Sequence, residues 1–345
     1  MSITIVGAGV IGLTAGLQLK LAHPELNITI WAAHLPGDIS TDYTSPFAGA
    51  DWHSFADQND KLVQQIDMVG YRKFLELADI EPRAGVHTIK SEQYTDLLPW
   101  FINEVDDFKM YDDNNKGKLP PYCKFGYEFK GIVISVPIYL SYLLQRNLEL
   151  GNTFKRIKIH HINDAYDNNK STNLVINCTG LLALKLQGLN DSLSLYPVRG
   201  QTLLVRNNVK REYSIETFGP EYPDELLYIM PRKEGGTIIG GCFKRDCEST
   251  QEDPELTKRI IQRAIKCAPE LIDSRFKRNS PSIDIVKVNI GFRPFRENGY
   301  RIELDSTRPW LIHCYGFGGA GYQSSYGAIE IVSRIVASKL ASPKL

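Results

Sequence analysis

Six residues near the start, Gly7-Ala8-Gly9-Val10-Ile11-Gly12, constrain the fold more than any other stretch. They stand between a β-prone run, Ile3-Thr4-Ile5-Val6, and apolar residues at helical spacing, Val10, Ile11, Leu13, Leu17 and Leu21. Each glycine of this G-x-G-x-x-G pattern has a physical reason. The first permits a tight turn, the second lets backbone approach a pyrophosphate, and the third lets helix and strand pack closely. The helix N-terminus then offers unpaired N–H groups and partial positive charge to phosphates. Residues 27–32 (Asn-Ile-Thr-Ile-Trp-Ala) read as a second strand, which makes a parallel βαβ unit with right-handed crossover. The acidic residue that holds a ribose hydroxyl about 20 positions on in many dinucleotide sites is missing. The second strand instead ends Trp31-Ala32-Ala33-His34, which leaves NAD unsupported and the ribose to His34 or backbone.

The same grammar returns downstream. Residues 131–136 read as a strand, Pro137 opens a helix, and Gly151 closes it. Residues 154–160 and 174–178 read as strands. Residues 310–315 form another, followed by the glycine turn Gly316 to Gly321 and a helix from Tyr322 to about Leu340. Between them, residues 196–206, 226–232, 237–243 and 283–291 have the character of antiparallel strands. A helix starts at Asp253-Pro254-Glu255, with Asp as N-cap and Pro at the first position. The fold class is therefore α/β with two interleaved domains.

Composition narrows the function classes. Forty basic against forty acidic residues leave no net charge, which argues against a general nucleic-acid binder. No apolar run approaches the ~18 residues of a membrane span, so no membrane insertion is expected. The six cysteines show no metal-ligand spacing and read as free, mostly buried thiols. No basic n-region of a signal peptide precedes the first apolar stretch. The terminal Ser342-Pro343-Lys344-Leu345 is close to a Ser-Lys-Leu peroxisomal address. Pro343 stands where Ser is usual, so a peroxisomal location through an import receptor and a cytoplasmic one both stay open.

Several segments together resemble the D-amino-acid oxidase and D-aspartate oxidase family of FAD enzymes. They are the first glycine motif, Ser45-Pro46-Phe47-Ala48-Gly49-Ala50-Asp51-Trp52, Asn177-Cys178-Thr179-Gly180 and Pro197-Val198-Arg199-Gly200-Gln201. Tyr228-Ile229-Met230-Pro231, Gly291-Phe292-Arg293-Pro294-Phe295-Arg296, and the stretch from His313-Cys314-Tyr315 to Gly321-Tyr322-Gln323 complete the set. The resemblance implies a Rossmann-like doubly wound FAD domain (1–54, 132–184 and 288–345). Interleaved with it is an α+β substrate domain (55–131 and 185–287) with a large mixed, mainly antiparallel sheet. It implies FAD held by Gly7, Ala8, Gly9, Val10, Ile11, Gly12, Ala33, His34, Ser45, Ala48, Gly49, Ala50 and Asp51. Ile159, Thr179, Gly180, Arg293, Gly318, Gly319, Gly321, Tyr322 and Gln323 complete that set.

Arg293 follows a strand, and Pro294 is expected to end the ladder there. A planar guanidinium grips a carboxylate through two parallel hydrogen bonds. By the resemblance Arg293 and Tyr228 hold the substrate carboxylate and the Gly319 carbonyl accepts from the amine, so orientation replaces a general base. The implied reaction passes hydride from Cα to flavin N5, and O2 then reoxidises the flavin to give hydrogen peroxide. The other products are a 2-oxo acid and ammonia. By the resemblance Phe243 stands where members taking D-aspartate have Arg and some neutral-substrate members have Tyr, and Phe218 where neutral-substrate members are apolar, which favours neutral substrates. Lys244 and Arg245 read as a solvated corner. D-aspartate oxidation is the alternative, followed by a glycine- or sarcosine-type amine oxidase and a catalytically silent flavin protein. Residues 305–309 are too short for the long dimerising loop of some relatives, so a homodimer stays open.

Overall fold

A computed structural model describes residues 1–111, 119–166, 172–189, 191, 194–276 and 283–341. Its first elements are β1 (Ser2–Val6), α1 (Val10–Ala22), β2 (Asn27–Ala32), α2 (Lys61–Ile80), β3 (Val86–Thr95) and β4 (Lys109–Met110). Then come β5 (Phe125–Ile134), α3 (Val136–Glu149), β6 (Thr153–Arg156), β7 (Leu174–Asn177), β8 (Leu195–Val205) and β9 (Glu212–Ile215). The chain continues with β10 (Glu225–Pro231), β11 (Thr237–Cys242), β12 (Lys244–Arg245) and α4 (Pro254–Cys267). It closes with β13 (Ile285–Arg296), β14 (Arg301–Leu304), β15 (Leu311–Tyr315) and α5 (Ser325–Ala341). The Ser342-Pro343-Lys344-Leu345 end lies outside the described residues.

Two sheets result. The six-stranded sheet has the order β14-β15-β7-β1-β2-β6 and is parallel except for the β14–β15 hairpin. Helix α1 is buried on most of its surface because it packs against this sheet, α3 and α5. Ile162, Ala165, Leu186 and the Tyr166–Trp310 stack cover the other face. The nine-stranded sheet runs β12-β8-β11-β10-β9-β3-β5-β4, with β13 on the free side of β8. It is antiparallel except where β3 meets β9. Helix α4, capped by Asp253 Oδ1 accepting from Leu256 N at 3.0 Å, packs on β10 and β11.

Three local expectations need correction. The strand expected at 154–160 stops at Arg156, because its partner β2 ends at Ala32. The ladder does not end at Pro294: β13 continues to Arg296, which pairs with Leu195. The Pro294 carbonyl points away from β8 and accepts from Gly318 N at 2.8 Å. In an antiparallel pair the N and C=O of one residue face the same way, so this edge proline removes no ladder bond. The last helix starts at Ser325, after a turn closed by Ser325 N–H donating to Tyr322 O at 3.1 Å. Tyr322 and Gln323 therefore lie in the turn. The cuts at 131/132 and 287/288 fall inside β5 and β13, whose residues on both sides pair within the nine-stranded sheet. All six cysteines are free, and Cys178, Cys242 and Cys314 are buried.

Candidate active site

One continuous cavity runs from the carboxyl ends of β1 and β2 to the face of the nine-stranded sheet. Gly7 begins it in the left-handed region (φ +116°), where an L side chain is strained. A Cβ on Gly12 would sit 1.9 Å from Gly7 O, so the third glycine exists for helix–strand packing and does not line the cavity. Gly9 starts α1 without a side-chain cap of its own; Ser45 Oγ instead accepts from Val10 N at 3.0 Å. Ala33, His34 and Ile159 line one end. Thr179 and Gly180 line the middle with Gly7, Ala8, Gly9, Val10, Ile11 and Ser45. Ala48, Gly49, Ala50, Asp51, Tyr228, Phe243, Arg293, Gly318, Gly319, Gly321, Tyr322 and Gln323 line the other end. Of the site residues read from the sequence, Gly12 and Phe218 alone lie off the cavity wall. Phe218 belongs to the core behind the nine-stranded sheet, where the Arg263 guanidinium stacks 3.7 Å from its ring centroid. It is therefore not a wall of a substrate pocket.

The second glycine turn supports a bound cofactor by what its glycines do not touch. A Cβ on Gly319 would meet nothing closer than 3.6 Å, and on Gly321 nothing closer than 3.7 Å. Protein packing does not demand glycine there, whereas a planar group lying against the loop would. Thr202, 6% exposed, also lines this end, and its hydroxyl lacks a partner among the described residues. A buried unpaired hydroxyl is costly and fits a site completed by a ligand. The glycine cradles, the start of α1 facing the cavity and this hydroxyl fit FAD.

Arg293 and Tyr228 meet above the turn. Arg293 Nη1 donates to Cys242 O at 2.9 Å, and Nη2 lies 3.5 Å from the Tyr228 hydroxyl. The guanidinium stacks 3.8 Å from the Phe243 ring centroid, so Phe243 flanks the clamp. Glycines make room for both groups. A Cβ on Gly200 would come 2.7 Å from Arg293 Nη1, and one on Gly240 2.7 Å from the Tyr228 ring. Among the described residues no carboxylate lies within ion-pair distance of Arg293, whereas Arg296, Arg301 and Arg308 nearby all have one. Burial pushes the Tyr228 hydroxyl up to about 12, so it stays a donor.

Three groups absent from the sequence reading also stand here. Asp67 of α2 is fully buried behind Gln323. Its Oδ1 accepts from Ser324 Oγ at 2.6 Å, and its Oδ2 from Ser54 Oγ at 2.7 Å and Gln323 Nε2 at 3.1 Å. Burial raises its carboxyl to about 6 despite these donors. His53 and Glu216 pair at 3.1 Å on the cavity wall. The one sequence signal for Asp67 was an acid at the spacing of buried Gln64, Gly70 and Tyr71.

Comparison with known proteins decides the family. The family described as FAD dependent oxidoreductase matches residues 2–335. The chain belongs to this family. A D-amino-acid oxidase of Fusarium vanettenii is 33% identical, covering 100% of this chain and 99% of its own length. One from Schizosaccharomyces pombe is 34% identical over 99% of this chain and 97% of its own. A D-aspartate oxidase of Talaromyces thermophilus is 28% identical, covering 97% and 94% respectively. Among solved structures, L-alpha-glycerophosphate oxidase from Mycoplasma pneumoniae with FAD bound has a TM-score of 0.72 at 15% identity, over 98% of this chain and 95% of that one. That likeness shows the family fold.

Proposed function

We propose that the protein oxidises D-amino acids to 2-oxo acids, ammonia and hydrogen peroxide with O2 as acceptor, and prefers neutral over acidic side chains. The observation that carries this reading is Arg293: a cavity-lining guanidinium with no carboxylate at ion-pair distance among the described residues, beside a Tyr228 donor and a glycine turn. In this reading Arg293 and Tyr228 bind the α-carboxylate, and the Gly319 carbonyl accepts from the amine. The residues thereby fix which hydrogen of Cα is presented, and catalysis is orientation and electrostatics. FAD, when bound, supplies the electron acceptor that no side chain provides.

Discrimination against acidic substrates is supported by where the other cations go. Lys244 pairs with Asp253 at 3.0 Å, and Arg245 with Glu297 at 2.6 Å, both off the cavity wall. The wall near the clamp carries Asp51 and Glu216 instead. The test is anaerobic addition of D-alanine and of D-aspartate to the holoenzyme while the flavin absorbance is followed. D-alanine bleaches the flavin faster in this reading; no bleaching by any D-amino acid overturns it, and a D-aspartate preference overturns the side-chain assignment. We extend the proposal to a peroxisomal location read from Pro343-Lys344-Leu345. A fluorescent fusion that keeps its location after losing these three residues would sink that part.

A further inference from the structure

Beyond the carboxylate clamp, the substrate end of the cavity has an acidic wall. Ser214 pairs with Tyr228 across β9 and β10, and Glu216 follows two residues along, so both face the cavity. Asp51 enters from the segment that bridges β5 at Val133. Behind it Glu212 is 1% exposed, and burial and then its neighbour Asp51 raise its carboxyl well above the usual range. Burial alone would also raise Glu216, but the His53 hydrogen bond and charge hold it below that range. Glu216 is thus a carboxylate, with Oε1 facing His53 Nε2 and Oε2 accepting from the Thr95 hydroxyl. Each oxygen keeps acceptor capacity, and the side chain is 34% exposed.

Glu216 meets His53 through Oε1 alone, which leaves its remaining lone pairs and Asp51 facing the cavity, and the His53 Nδ1 has no partner among the described residues. The cavity-lining Lys158 and Lys185 stand with the 157–160 and 180–186 segments, at the end away from Arg293. One strand spacing across and two residues along put Glu216 about 8 Å from Tyr228 at Cα level. A four-carbon stem has that reach when its α-carboxylate is held by Arg293 and Tyr228.

We infer that Asp51 and Glu216 select D-amino acids with a cationic side chain, D-lysine and D-arginine, over uncharged side chains of the same length. This rests on the D-amino-acid reading above. The test compares kcat/KM of the holoenzyme for D-lysine and for D-norleucine, which has the same stem without the ammonium. D-lysine should win by about tenfold or more, the scale of a hydrogen bond to a charged partner. The D-lysine to D-norleucine ratio should fall by about as much in Glu216→Gln and in Asp51→Asn. N6-acetyl-D-lysine, which needs no variant, should lose the advantage. D-norleucine oxidised as fast as D-lysine, or a ratio unmoved by both substitutions, overturns the inference and leaves D-amino-acid oxidation standing. No bleaching by D-alanine, D-norleucine or D-lysine overturns the underlying reading instead.

Discussion

Arg293 stands out among its neighbours through the partner it lacks. Arg199 is 2% exposed, and its guanidinium is used up on Ser249 O, Gln251 O and Gln201. Arg293 spends one donor on Cys242 O and keeps the rest. Arg293→Ala should therefore leave flavin bound while raising KM for D-alanine. Losing one side of a buried charge pair costs about 2–4 kcal/mol, or roughly 30- to 1,000-fold in kcat/KM. Steady-state kinetics beside the flavin spectrum check this, and an unchanged KM removes Arg293 from the clamp. Asp67 makes a different prediction, about pH. Its folded-state value of about 6 lies above the model-peptide value, so the native state binds the proton more tightly. Its contribution is fully present below about 4 and is lost as pH rises through about 6, on the order of 3 kcal/mol. Urea unfolding of the wild type against Asp67→Asn at pH 4.5 and pH 7 measures this. The wild type should lose ground to the variant at the higher pH, and a constant difference would mean Asp67 does not titrate there.

At the scale of elements, glycines set how closely the pieces meet. A Cβ on Gly70 of α2 would sit 1.7 Å from Gln323 O, which ties the helix to the second glycine turn. Alanine improves helix propensity by about 1 kcal/mol over glycine. Gly70→Ala should nonetheless lose about 1–2 kcal/mol net in urea unfolding, because the backbone oxygen cannot yield without shifting the turn. A stabilised variant would mean that α2 and the turn move apart freely. The same local logic explains what could be read from sequence. The turn at Gly7, the cap at Asp253 and the βαβ order are decided by residues adjacent in the chain, and all are where they were expected. Pro294 misled because its effect depends on which way its carbonyl faces, and that is set by β8 and Gly318. Phe218 misled because it lies in the loop between β9 and β10, whose path is set by packing against distant residues such as Arg263. Asp67 and the His53–Glu216 pair were silent because each is assembled from segments far apart in the chain. An isolated acid or imidazole looks the same whether solvated or aimed into a cavity.

For the whole molecule, the cavity lies where the two sheets meet, so FAD held there would be lined by residues of both. Removing FAD should lower the thermal midpoint, and adding it back should restore the midpoint in a concentration-dependent way. Free flavin at a thousand times its dissociation constant stabilises by about 4 kcal/mol. Scans of apoprotein titrated with FAD measure this, and a midpoint independent of FAD would mean that the cavity forms without strain and the cofactor adds nothing to the fold. The strand order has a further consequence, for biosynthesis. β1 leaves the ribosome first, yet it sits between β2 and β7, and β15, which begins at Leu311, must dock beside β7. At 5–20 residues per second the first strand and its apolar helix wait roughly 15–60 s for the sheet to close. The nascent chain thus carries a βαβ unit whose β1 edge stays open until β7 is made, and β7 in turn waits for β15, so the sheet that forms one side of the cavity is complete only after its last strand emerges.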